Sequence, residues 1–254
     1  MHFFFTRGSS STVMGESKTR LFVVAALLLT AVVPAWSQNP VPPSIAVYER
    51  AMAESKMTVE QLFDLGEQAA RDLVRGSLGF YSKEELAAVS KQMPGYALQN
   101  IEVIYALPKT PFFLDLSRRR GGPADVAFFE AMAVEKPDQS YAYGYIQLTT
   151  YVQGCWRLDG ALTRIDYNWR RYRDAYPHSY VRHVAEHLDE IEEKISSSYE
   201  SKDVCACGEL PAVEQELAGL AKLGPQDRLG KSSADLLQGL RDGSVKFEAN
   251  CRPK

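Results

Sequence analysis

Residues 161–195 read ALTRIDYNWRRYRDAYPHSYVRHVAEHLDEIEEKI, and this stretch decides the fold class. Leu162, Ile165, Trp169, Tyr172 and Tyr176 step by three and four residues, with Arg164, Arg170 and Arg171 among the polar positions. That step places the apolar side chains on one face of a helix, which turns once in about 3.6 residues. Pro177 ends the helix, since it has no N–H to continue the hydrogen-bond ladder. Val181, Val184, Leu188, Ile191 and Ile195 repeat the step, with Arg182, Glu186, Glu190 and Glu193 on the other side. Two amphipathic helices joined by so short a turn run antiparallel and bury their stripes together.

Helix signals extend in both directions from this pair. Thr58-Val59-Glu60-Gln61 is a capping box that opens a helix running to about Arg75, with Leu62, Phe63, Ala69 and Leu73 on one side. Ser82-Lys83-Glu84-Glu85 is a second box, and Pro94-Gly95 stops the short helix it starts. Thr110 is the expected cap of a helix with Pro111 at its first helical position, closed by Gly121-Gly122. Arg118-Arg119-Arg120 at its end suits the helix dipole. Pro123 begins a further helix through Phe128, Phe129 and Met132, and weaker helices are expected over 211–223 and 232–240. Residues 101–107 (IEVIYAL) are short and β-branched, so one short strand or hairpin is expected near residues 99–107. Tyr141 to Cys155 shows both a period of two and, over its greater length, a helical step, which favours a helix. Residues 196–208 read as a polar, cysteine-bearing loop. The expected fold is mainly α: an antiparallel, bundle-like domain over 45–254, stapled by disulfides that tether a C-terminal segment from about 198.

The N-terminus is of a different kind. Leu21 to Val33 is an uncharged apolar run preceded by Lys18 and Arg20, and Ala35-Trp36-Ser37 offers small residues at two alternate positions. These features mark residues 1–37 as a cleaved signal peptide, followed by a Pro-rich lead-in over 38–44. The apolar run is shorter than the roughly 20 residues a stable transmembrane anchor needs. The expected location is therefore outside the cytoplasm, periplasmic or extracellular. Cleavage removes three of the 29 basic residues (Arg7, Lys18, Arg20) and one of the 32 acidic ones (Glu16), leaving a net charge near −5. An acidic chain without a basic face gives no reason to expect nucleic acid as a partner.

Cys155, Cys205, Cys207 and Cys251 all lie beyond the leader. An even count in an exported chain points to disulfides, and C-x-C is not the C-x-x-C spacing of redox motifs. A Cys205–Cys207 bridge would close a strained ring, so the two long-range pairings are favoured.

Two patterns could carry function. His183-Val184-Ala185-Glu186-His187 resembles, over these five residues, the H-x-x-E-H motif of the inverzincin metallopeptidases. The resemblance implies zinc held by His183 and His187, with Glu186 as general base and a third ligand from elsewhere, His178 or Asp174 being nearest in sequence. The helical phase places these histidines off the apolar stripe centred on Val184 and Leu188, so a solvated face is the competing expectation. The second pattern is aromatic. Eight of the 13 tyrosines and two of the three tryptophans fall between Tyr141 and Tyr180, interleaved with arginines. Tyr, Trp and Arg dominate binding hot spots. With Trp169, Tyr172 and Tyr176 assigned to the core, Tyr167, Arg170, Arg171 and Arg173 are left to face a partner. No G-x-S-x-G elbow is present, and Gly224 to Ser232 has one residue too many between its glycines for a phosphate-binding loop. The function expected first is a binding domain of the cell envelope with a protein, peptide or glycan partner and no cofactor. A zinc-dependent hydrolase or metal-binding protein is the alternative.

Overall fold

The computed structural model describes residues 41–54, 56–76, 81–100, 104–136, 144–147, 153–156, 158, 160–206 and 208–249. The chain divides into two units, 1–37 and 38–254, and the first of them, with the expected signal peptide, lies outside the described residues. No described helix is long and apolar enough to cross a membrane.

Nine helices and six strands are found among the described residues. The N-terminal part comprises α1 (Pro43–Ala53), α2 (Val59–Gly76), α3 (Lys83–Gln92), β1 (Tyr96–Asn100), β2 (Ile104–Pro108), α4 (Thr110–Arg120) and α5 (Pro123–Glu135). Then come β3 (Gly144–Gln147), β4 (Gln153–Trp156), α6 (Ala161–Ala175), α7 (Val181–Ser201), β5 (Asp203–Ala206), α8 (Leu210–Leu223), α9 (Arg228–Asp242) and β6 (Lys246–Ala249).

The helix starts follow their local chemistry. Both capping boxes form: the Thr58 hydroxyl accepts from Gln61 N–H while Gln61 Oε1 accepts from Thr58 N–H, and Ser82 and Glu85 do the same. Thr110 departs from expectation. The cap of α4 is Lys109, and Thr110 lies inside the first turn with its hydroxyl buried and unpaired, because Pro111 occupies the second helical position and fixes the start one residue earlier. The lead-in is likewise shorter than expected, as α1 already starts at Pro43.

The mainly helical reading holds, and the hairpin near 99–107 is β1–β2, antiparallel with Asn100 opposite Ile104. The sheet content of the C-terminal part was not foreseen. Where a helix was expected over 141–155 the chain makes β3 and β4, antiparallel with Tyr145 opposite Cys155. Of the period-two tyrosines, Tyr145 lies in β3 and Tyr141 and Tyr143 lie outside the described residues; Gly144 and Gly154 disfavour a helix there. The expected loop over 196–208 is also replaced: α7 continues to Ser201 and β5 follows. One four-stranded sheet in the order β3-β4-β5-β6 results, with β4–β5 and β5–β6 parallel. Parallel neighbours need crossover connections, and the helical pairs α6–α7 and α8–α9 supply them.

The α6–α7 pair folds back on itself as its spacing requires. The Trp169 and His187 rings stack with centroids 4.4 Å apart and a 7° interplanar angle, each nine positions from His178 in the turn. The surrounding core is aromatic. Phe63 of α2, Phe128 and Phe129 of α5, Trp169 and Tyr180 are all buried, with Phe128 stacked on Tyr180 at 3.8 Å. Tyr180 adopts a left-handed backbone (φ 51°) as the cap of α7. Its neighbours hold it there: the hydroxyl donates to Asp125 Oδ1 at 2.7 Å, and the N–H donates to Glu60 Oε1 at 2.6 Å.

Candidate functional site

The histidines of the H-x-x-E-H stretch are buried, His183 at 4% and His187 at 9% exposure, so the solvated face expected for them is wrong. Helix α7 is covered on more than one side, by α6, α9 and β5, so its buried arc is wider than the aliphatic stripe alone. Each ring serves a different neighbour. His183 Nε2 lies 2.7 Å from Asp64 Oδ1 of α2, and Arg182 reaches the same oxygen at 2.7 Å. His187 Nδ1 lies 2.8 Å from Glu135 Oε2 of α5, which also accepts from Trp169 Nε1 at 2.7 Å. The motif therefore ties α7 to two helices.

The electrostatics follow from that packing. Burial lowers the His183 pKa below the ordinary imidazole range, the Asp64 hydrogen bond opposes this, and the adjacent Arg182 charge adds to the lowering. Burial alone would raise Asp64 and Glu135. The hydrogen bonds and charge of Arg182 and His183 hold Asp64 below the usual carboxylate range, and the charge and hydrogen bond of His187 do the same for Glu135.

The other proposed metal residues are not gathered around these rings. Glu186 is exposed, 3.5 Å from Arg182 and 3.7 Å from His183 Nδ1. His178 and Asp174 are exposed in and before the turn, and Asp174 pairs with Arg173 at 3.3 Å. Among the described residues no group of three His, Cys, Asp or Glu side chains is placed to hold a metal ion.

The four residues assigned to a partner face are dispersed as well. Tyr167 lines a cavity between α6 and α8, and Arg171 lines one between α5 and α6. Only Arg170 and Arg173 share a cavity, a groove of ≈ 320 Å³ where α6, the turn, α7 and the start of α9 meet. The reason is helical phase: positions 167, 170, 171 and 173 of one helix cannot all face one way. Tyr172 and Trp169 are core, as their spacing implies.

The groove is built from both halves of the hairpin. Its apolar surface comes from Tyr176, Pro177, Val181, Val184, Leu188 and Leu229, with Val181 exposed at 57%. Its charged lining comes from Arg170 and Arg173 of α6, Asp189 and Glu192 of α7, and Asp227. Arg170 is fixed between two acids, 2.7 Å from Asp166 of its own helix and 2.6 Å from Asp227. Asp227 in turn caps α9 by accepting from Gly230 N–H at 2.8 Å. Asp166 is fully buried, and burial holds its carboxyl above the usual range despite the guanidinium. Arg173 is half-exposed and keeps its pair with Asp174 at the surface.

Sequence reading missed the carboxylates that set this arrangement: Asp64, Glu135, Asp166 and Asp227. For Asp166 and Glu135 a signal was present, since each acid sits within an apolar helical stripe. Asp64 and Asp227 join residues more than 50 positions away, and no local pattern marks such a pairing. No protein-family model, curated protein or solved structure matches this chain.

Proposed function

We propose that the mature chain is an exported binding module of the cell envelope, and that its partner occupies the groove between α6, α7 and α9. The groove itself carries this reading. It offers a partly exposed aliphatic surface beside a charged lining, the combination by which a pocket anchors an apolar group and orients a polar one. The leader over 1–37, with its basic flank, apolar core and small residues before Gln38, supports export.

Disulfide stapling belongs to the same reading. Among the described residues no cysteine is free. The parallel register that sets Trp156 opposite Ala206 brings the backbones of Cys155 and Cys205 level on neighbouring strands, a separation a disulfide spans. Cys207 and Cys251, which lie outside the described residues, are then the second pair. Each bridge forms as two thiols give up two protons and two electrons to a disulfide-bearing oxidant of the export compartment.

The binding reading is tested with a photo-crosslinking amino acid at Ala185, in the groove, and at Arg118, on α4, in full-length protein expressed in its own cells. A discrete adduct of processed protein is expected from position 185 and not from 118, and Val181→Asp should remove it. Equal labelling from both positions, or none from 185, would overturn the groove as the binding surface.

A further inference from the structure

The groove and a second cavity lie on one continuous face of α7. The groove uses Val181, Val184, Ala185 and Leu188 from this helix; the second cavity, of ≈ 570 Å³, uses Glu193, Ser196, Ser197 and Glu200, and the two share Asp189 and Glu192. Val181, Ala185, Asp189, Glu192, Ser196 and Glu200 recur three and four apart and form one stripe roughly 28 Å long at 1.5 Å per residue, with Val184 and Leu188 along one edge and Glu193 and Ser197 along the other. Its chemistry changes along its length, aliphatic over the first two turns and acidic over the rest. Glu192 is paired with Arg228 at 3.2 Å. Among the described residues no cation pairs with Asp189, Glu193 or Glu200.

We propose that this stripe binds an extended peptide segment of a partner protein, with one aliphatic or aromatic anchor residue and two or more lysines or arginines to one side of it. The proposal rests on the binding reading above and adds the chemistry of the occupant. The groove, of ≈ 320 Å³, admits a leucine- or phenylalanine-sized side chain against its Val184–Leu188 surface. Beyond Leu188 the uncompensated carboxylates attract cations and repel phosphates and acidic chains, which removes nucleic acid and anionic glycans from consideration. The stripe's length selects a peptide over a small cationic amphiphile. From Leu188, Glu193 lies roughly 7.5 Å and Glu200 roughly 18 Å along the helix axis. An extended chain rises about 3.3 Å per residue, so the basic residues belong about two to six positions from the anchor. Exposed carboxylates act mainly on encounter, so the affinity is salt-dependent.

The test is selection from a displayed library of ten-residue peptides with a fixed central leucine or phenylalanine and random flanks, against the full mature chain. Lysine and arginine are expected to be enriched two to six positions to one side of the anchor. A selected peptide should bind at least tenfold more weakly to Glu193→Lys/Glu200→Lys, whose melting temperature should be unchanged because both side chains are at the surface. It should also bind at least tenfold more weakly to Val181→Asp. Apolar binders without a basic bias, lost in Val181→Asp but indifferent to the glutamate reversals, would overturn the basic-peptide proposal and leave the groove reading standing. Recovery of no binder, or of binders indifferent to Val181→Asp, would overturn both.

Discussion

At the scale of single residues, the most informative groups are His183 and the acids that face it. Its ring meets Asp64 from α2, and Arg182 and Glu186 from its own helix, and its flanks are the Phe63, Phe128 and Tyr180 rings. Burial and the adjacent Arg182 charge both work against protonation of the imidazole, while Nε2 lies 2.7 Å from Asp64 Oδ1. A histidine with a lowered folded-state pKa binds fewer protons folded than unfolded. Its contribution to stability is therefore present above the ordinary value near 6.5 and is lost as the pH falls below it, down to the lowered value. Asp64 acts in the same direction at more acid pH, below the ordinary carboxylate range, because its own pKa is depressed. Urea denaturation between pH 8 and pH 5 should show stability falling toward acid. His183→Gln, whose amide still donates to Asp64 but does not titrate, should reduce that slope; an unchanged slope would mean the ring titrates alike in the folded and unfolded chains. Glu135 is the companion acid, a buried acceptor shared by His187 and Trp169. These two contacts explain why the five-residue motif reads as metal chemistry in sequence and serves as internal bracing in the fold. A histidine four positions from another meets whatever the packed helices present, and here that is one carboxylate each.

At the scale of elements, the ends of helices are secured by residues from elsewhere in the chain as well as by their own. Glu216 of α8 is buried against the start of α6, where it accepts from the N–H groups of Gly160 and Thr163 and from the Thr163 hydroxyl, the latter two at 2.5 and 2.6 Å. A carboxylate there satisfies otherwise unpaired donors and meets the positive end of the helix dipole. Glu216→Ala removes the acceptor from a buried helix start and should cost about 1–3 kcal/mol, read from chemical denaturation. Amide exchange should quicken first in the opening turn of α6. Unaltered exchange there would show that water replaces the carboxylate without loss. The close approach of β1 to α2 has a similar local cause: Gly66 leaves room for the Tyr96 ring, which a Cβ would meet at 2.5 Å.

At the scale of the whole molecule, the C-terminal part is a four-stranded sheet whose parallel neighbours are joined by helix pairs, so pairing β4, β5 and β6 requires a search over long stretches of chain. Covalent closure of Cys155 to Cys205 would shorten that search by closing a loop of about 50 residues, worth roughly 4 kcal/mol in the chain-entropy model. Reductant should lower the melting temperature of the mature protein, and Cys205→Ser should release one thiol, at Cys155, while Cys207 and Cys251 stay paired. A melt insensitive to reductant would overturn the stapling, and release of a different thiol would overturn the pairing. Much of the helical order was legible in sequence because its signals are local: capping boxes, prolines after the cap, and an apolar step of three and four within a single helix. The Trp169, Tyr172 and Val184 positions fell in the core for the same reason. The sheet was not legible, because strands of four residues carry little periodic signal and its two parallel pairings join strands more than 40 residues apart in sequence. The groove escaped for a related reason: its walls come from α6, α7 and α9, and a lining arginine is oriented by an acid 57 positions on. Sequence by itself determined the helix starts, the main apolar faces and the acidic balance, all of which follow from side-chain chemistry and near-neighbour spacing. Only the tertiary structure decided that the paired histidines face two separate carboxylates and that one helix face changes from aliphatic to acidic beside a groove, since both depend on which distant elements pack together.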